Sequence, residues 1–434
     1  MERPAGTAAG GLRGQRLDFW GELLRQTPLA AVTTPGAPSM SVYLDHAATT
    51  PMLPAAVEAM TAELSVVGNP SSLHTAGRRA RRVVEESREQ LAAALGARPS
   101  EVVLTSGGTE ADNLAVVGGY RARRAQDARR RRVLVSAVEH HAVLDPAHWL
   151  AEHEDAEAVE LPVDGVGRVD LAALRAELER DPAAVALVSV MWANNEVGTI
   201  QPVREIVELA HEYGVPVHTD AVQAAGHVPV DFAASGVDLM TVTGHKLGGP
   251  VGVGMLLAGR GVALSPVVHG GGQERQVRSG TLDAPAVRAF AVAAEHAVRT
   301  LETETPRVAA LRDRLVAGVL ARVPETVLLG DPDSAGRLPG NANLAFRGCE
   351  GDSLLYLLDA RGVEVSTGSA CSAGVPQPSH VLTAMGVPER LSRGALRLTL
   401  GHTTGPEDVE AALAALPAAV ERARGAGLVS GRAR

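Results

Sequence analysis

Six short apolar runs separated by amphipathic stretches set the main constraint on what this chain can fold into. They are Val102-Val103-Leu104, Val133-Leu134-Val135, Val185-Ala186-Leu187-Val188, Val215-Pro216-Val217, Leu239-Met240-Thr241-Val242 and Val253-Gly254-Met255-Leu256-Leu257. Runs this short and this continuously apolar read as strands covered on both faces, and the intervening periodicity is helical. Val83, Val84, Ser87, Leu91 and Leu95, for example, share one face of a helix that ends at Gly96. Strand and helix in alternation specify an α/β fold with a largely parallel sheet, and such sheets bind ligands at the carboxyl ends of their strands. A helical stretch at 284–322 closes this region. A compact α+β tail follows, with strands near 343–346 and 396–398, a helix from Asp352 and a last helix from about Pro406.

Composition narrows the class. A chain of 434 residues suggests two domains. A net charge of -9 argues against a nucleic-acid-binding protein. The seven arginines from Arg121 to Arg132 could suggest RNA, but they lie between a helix and a strand without interleaved aromatics, which argues against nucleic-acid binding there. No run of 18 apolar residues predicts a membrane span. Two cysteines, Cys349 and Cys371, cannot build a disulfide framework, and a cytoplasmic location is expected. Residues 1–40, rich in Gly, Ala, Pro and Arg, read as a disordered leader, with Met40 as a candidate start of translation.

Chemistry gathers where strands give way to loops. Lys246 is the only lysine among 41 basic residues. Isoleucine is confined to positions 200 and 206, so lysine scarcity has a plain compositional cause. A retained lysine is either a chance survivor or a position that needs a primary amine, which arginine cannot supply. Thr105-Ser106-Gly107-Gly108-Thr109-Glu110 offers a glycine turn at a helix start, suited to an anion but common in α/β proteins. Asp220 follows a strand and is equally explained as a helix cap. Asn194 and Asn195, two of six asparagines, place amides at another strand end or simply form a turn. An amine, a carboxylate and an anion-binding turn at one sheet edge are the minimum kit for pyridoxal phosphate.

The residues then match a family. Tyr43-Leu44-Asp45-His46-Ala47-Ala48-Thr49-Thr50-Pro51, Gly107 to Asn113, Glu139-His140-His141-Ala142-Val143-Leu144, Gly244-His245-Lys246, Arg278-Ser279-Gly280-Thr281, Ser369-Ala370-Cys371 and Arg397 resemble, in order and spacing, the cysteine desulfurases of the class V aminotransferase group. The resemblance covers about residues 41–424. It implies the fold of type I pyridoxal-phosphate enzymes, a large domain with a mostly parallel seven-stranded sheet plus a smaller α+β domain. The boundaries expected are 54–300 for the large domain, 41–53 with 301–425 for the small one, and a tail at 426–434.

The same resemblance implies roles. Lys246 would be the Schiff-base lysine and the base that moves the substrate Cα proton. Asp220 would pair with the ring nitrogen, Gln223 with the ring hydroxyl, and His140 would stack on the ring and handle protons. Gly108, Thr109, Thr243 and His245 would hold the phosphate, with Thr281 from a partner subunit of a homodimer. Asn195 and Arg397 would hold the substrate carboxylate.

Cys371, in the small-residue run 366–376, would take the sulfur of L-cysteine as a persulfide and leave alanine. The acceptor would be an iron–sulfur scaffold or a tRNA-thiolation enzyme. Judged alone, Cys371 is also readable as a packing cysteine. No intrinsic metal site is expected; Cys371 would ligate a cluster only transiently, in a scaffold complex. The competing readings are a related PLP lyase or aminotransferase, selenocysteine lyase-like, and a sulfur-relay platform without catalysis.

Overall fold

The computed structural model describes residues 41–368 and 379–430. The leader expected at 1–40, the run Ser369-Ala370-Cys371 and residues 431–434 lie outside the described residues.

The six apolar runs all contribute to one seven-stranded sheet. Its strands are β2 (Val102–Thr105), β3 (Arg132–Ser136), β4 (Glu157–Leu161), β5 (Val185–Ser189), β6 (Val217–Asp220), β7 (Leu239–Thr243) and β8 (Gly254–Ala258), in the order β2-β8-β7-β6-β5-β3-β4. The pairs from β7 to β4 are parallel, and β8 runs antiparallel to both neighbours. Side chains alternate across the sheet, as a period of two requires. Val133 and Val135 enter one apolar cluster with Val103, Leu187 and Leu239, while Leu134 enters the opposite one with Leu104, Val188 and Met240. Both faces are therefore buried.

Two differences from the sequence reading have physical causes. β4 is not among the six runs because it is an edge strand, where Glu157 and Glu160 can face solvent. β6 begins at Val217 rather than Val215, since Pro216 has no N–H to give a ladder; its carbonyl still accepts from the Val188 N–H at 3.0 Å.

The α-helices of six residues or more among the described residues are α1 (Pro54–Leu64), α2 (Thr75–Ala94), α3 (Gly108–Asn113), α4 (Gly119–Gln126), α5 (His141–His153), α6 (Leu171–Arg180), α7 (Val203–Glu212), α8 (Ala284–Arg322), α9 (Gly351–Asp359) and α10 (Pro406–Ser430). α2 buries Ala80, Val83, Val84, Ser87 and Leu91, the face read from its spacing. It ends at Gly96, whose φ of +66° lies in the left-handed region. α8, 39 residues long with Pro306 inside, serves two cores. Its first half packs under the large sheet, and Val308, Leu311, Leu315 and Val319 enter a second core.

That second core lies on the three-stranded antiparallel sheet β9 (Thr326–Leu329), β10 (Asn341–Phe346) and β12 (Ala395–Thr399), in the order β12-β10-β9. Beside it β1 (Val42–Tyr43) pairs in parallel with β11 (Val363–Glu364). Cys349 is buried in this core, with Sγ 3.8 Å from the Val420 carbonyl, so it packs as a small apolar side chain. Among the described residues no helix is long and apolar enough to cross a membrane.

Candidate active site

The carboxyl ends of β2, β3, β5, β6 and β7 open onto one cavity of about 410 Å³. Strand twist and short loops bring distant sequence segments together here. Gly108 and Thr109 come from the start of α3, His140 from the cap of α5, and Asp220 and Gln223 from the end of β6. Thr243, His245 and Lys246 come from the β7–β8 connection, Asn195 from the loop after β5 and Arg397 from β12. Ser366 and Gly368 on one side of residues 369–378, and His380 on the other, also line it. Thr281, on the loop before α8, is exposed and is not among the residues that line this cavity. Cys371 lies outside the described residues.

Lys246 sits in the short turn Gly244–Lys246, between antiparallel β7 and β8. Its ammonium donates to the carbonyls of Ala47 and Ala48, so the segment after β1 closes one wall. Burial, and then the nearby Arg397 charge, pull the amine down from its usual 10.5 to about 8. Asp220 is buried at the end of β6, with Oδ1 accepting from the Val222 N–H at 2.8 Å. Burial raises its carboxyl to about 6, opposed by that hydrogen bond and by Lys246. The local cap and the cavity-lining position thus belong to the same carboxylate.

His140 caps α5, its Nδ1 accepting from the Ala142 N–H at 3.1 Å. Desolvation by the surrounding protein, then Lys246, lower its pKa to about 4, although the residue keeps exposed surface, so the ring is neutral near pH 7. Gln223 donates to the Ala47 carbonyl at 2.9 Å. Arg397 is held from two sides, Nη2 donating to Asp45 at 2.8 Å and Nη1 to the Asn195 carbonyl at 2.9 Å, while buried Nε has no partner among the described residues. A guanidinium edge with a free donor at a cavity wall suits a second carboxylate.

Several polar residues here carried no assigned role in the sequence. Asp45 pairs with Arg397. Glu196 is buried and accepts from Ser379 Oγ at 2.6 Å, just beyond residue 378. Glu139 takes hydrogen bonds from Ser136 Oγ and the Met191 N–H, and burial still raises its carboxyl to about 8. Asp112 and His218 are buried together behind Asp220. Asp45, Asp112 and Glu139 stand inside the motifs that carry the family resemblance, which is the signal that could have marked them.

Comparison with known proteins agrees with this geometry. The family profile described as "Aminotransferase class-V" matches residues 42–412. An IscS-like cysteine desulfurase of Mycobacterium tuberculosis is 59% identical over 388 residues, covering 89% of this chain and 98% of its own. A solved NifS-like protein superposes with a TM-score of 0.81 at 33% identity, over 88% of this chain and all of the other. A structure of SspA in complex with cysteine matches with a TM-score of 0.70 at 30% identity, over 83% of this chain and 99% of that one. The fold and the strand-end cavity define a class V aminotransferase. Within that family, the chain belongs to the cysteine desulfurases.

Proposed function

We propose that the protein is a homodimeric, pyridoxal-phosphate-dependent enzyme that converts L-cysteine to L-alanine and keeps the sulfur on Cys371 for delivery to an acceptor protein. One observation carries the reading: the chain's only lysine lines the same cavity as the buried Asp220, with Arg397 on its wall.

The residues present fit the cofactor. A Cβ at Gly108 would stand 3.1 Å from Val222 Cγ2, so the glycine keeps open a cradle at a helix start. Lys246 would hold the cofactor covalently, Asp220 would face the ring nitrogen and Gln223 the ring hydroxyl. Thr109, Thr243 and His245, with Thr281 of a second subunit, would hold the phosphate. When bound, the cofactor supplies an electron sink for charge that develops at the substrate Cα.

The rest falls to side chains. Arg397 and Asn195 orient the substrate carboxylate. Lys246, with a pKa near operating pH, removes the Cα proton, and neutral His140 relays protons. The Cys371 thiolate attacks the substrate sulfur: the new S–S bond forms as the C–S bond breaks, its electron pair stays on carbon, and protonation there gives alanine. The described residues on both sides of 369–378 line the cavity, which supports Cys371 as the nucleophile. We assign the seven-stranded sheet to a large domain at 54–300 and the second core to a small domain at 41–53 and 301–425. The acceptor is an iron–sulfur scaffold or a tRNA-thiolation enzyme, met in a reducing cytoplasm.

The test is purified protein with L-cysteine and PLP. Alanine and sulfide should form in equal amounts under reducing conditions. Cys371→Ala should keep the cofactor's visible absorbance while losing sulfide release by at least about a hundredfold. Undiminished sulfide from that variant overturns the persulfide step. Alanine absent from the parent protein overturns the enzyme reading in favour of a platform.

A further inference from the structure

Behind Asp220 lies a buried polar group that the mechanism above leaves unused. His218 precedes Asp220 by two residues on β6, so the two share a face. The His218 ring has no exposed surface. Its Nδ1 is 2.8 Å from Ser189 Oγ on β5, where the two residues are in register. Its Nε2 is 3.1 Å from Thr241 Oγ1 on β7 and 3.6 Å from Asp112 Oδ1 on α3. With the Ser189 hydroxyl donating to Nδ1, the ring proton sits on Nε2, towards Thr241 and Asp112.

Asp112 is 1% exposed and lines the same cavity as Asp220 and Lys246. Its Oδ1 has no hydrogen-bond partner among the described residues. A buried carboxylate left in that state is costly, and two carboxyl groups in one water-poor pocket do not both ionise readily. Burial, then the Asp220 charge, hold the Asp112 carboxyl well above the usual range. Burial also lowers His218 to about 3, so the imidazole brings no positive charge to balance a second carboxylate. Glu139, the other acid nearby, is itself raised to about 8 and adds no charge at neutral pH. Lys246 and Arg397 are the cations that line the same cavity among the described residues, and Arg397 is already paired with Asp45.

We propose that Asp112 is a positioning residue for Asp220: anchored beside His218, it carries the proton of a buried carboxyl pair and donates it towards Asp220, leaving Asp220 as the ionised member that faces the cofactor. The inference rests on the pyridoxal-phosphate reading above. Asp112 itself touches neither substrate nor cofactor in this account; it acts through the charge of Asp220.

The experiment compares holoprotein from the parent, Asp112→Ala and Asp112→Asn. Two quantities are read: the dissociation constant for PLP and the pH midpoint of the bound cofactor's visible absorbance. Alanine removes the donor, so PLP affinity should fall about tenfold, the scale of one hydrogen bond to a charged group, and the midpoint should move by about one unit. Asparagine keeps a neutral donor and should restore both to within about twofold. An Asn variant as impaired as the Ala variant means that the charge of Asp112 matters rather than its proton, and overturns the proposal. An Ala variant with unchanged affinity and midpoint overturns it too. Should Asp112→Ala fail to fold by circular dichroism, Ser189→Ala, which frees His218 Nδ1, must move the midpoint in the same direction; no movement overturns the proposal. A parent protein that binds no PLP sinks the functional reading itself, a result separable from all of these.

Discussion

At the scale of single residues, the chain's lone lysine is an unusually clean reporter. With a pKa of about 8, half of the Lys246 amine is neutral near pH 8 in cofactor-free protein, against about 0.3% for an ordinary lysine. Since only the neutral amine is nucleophilic, its labelling by an amine-reactive reagent should rise between pH 7 and 9 and level off above that. Peptide mapping separates Lys246 from the chain's α-amine. A rate that keeps climbing about tenfold per unit up to pH 10 would show an unperturbed amine. Residues of this kind were legible in the sequence because each stands alone: one lysine at a strand end, one aspartate after a strand, one arginine in a late strand. Asp112, Glu139 and His218 were not, because a sequence shows neither that the fold buries them nor that Asp112 Oδ1 and Glu139 Oε2 are left without partners among the described residues.

At the scale of elements, the strands buried on both faces announced themselves by continuous apolar runs, whereas the edge strand β4 did not. Several arginines of 121–132 are taken up by carboxylates brought in by the fold: Arg121 meets Glu154, Arg124 meets Asp155 and Arg132 meets Glu177. Helix ends were legible where chemistry forced one residue, and Gly96 is the clearest case. Besides its positive φ, a Cβ there would stand 2.3 Å from the Asp231 carboxylate. That carboxylate accepts from the Ala234 N–H at 2.7 Å and caps the helix Phe232–Ser235. Gly96→Ala therefore combines left-handed strain with the loss of a cap, and should cost about 2–3 kcal/mol in urea unfolding. A change below about 0.5 kcal/mol would mean that both elements relax around it.

At the scale of the whole molecule, one buried ion pair ties the loop before α8 to the body of the large sheet. Arg88 on α2 donates to Glu274 through Nη1 and Nη2 at 2.8 and 2.7 Å and to the Val102 carbonyl at 2.9 Å, and Glu274 also accepts from the Leu104 N–H. Glu274 is 1% exposed. Removing one partner strands a charge, so Arg88→Ala should cost about 3–5 kcal/mol, whereas replacing both partners with apolar residues should cost much less. A double-mutant cycle by chemical denaturation measures the difference. This pair joins positions 186 residues apart, and no local pattern in the sequence could have disclosed it.

Helix α8 has a further consequence, for stiffness. A helix of 39 residues is a rod about 58 Å long, gripped by a different core along each half. Pro306 contributes no N–H, so the Glu302 carbonyl loses its helical partner at that point and the rod is weakest there. A bend imposed by either core therefore meets least resistance at this joint, where one rung of the hydrogen-bond ladder is missing.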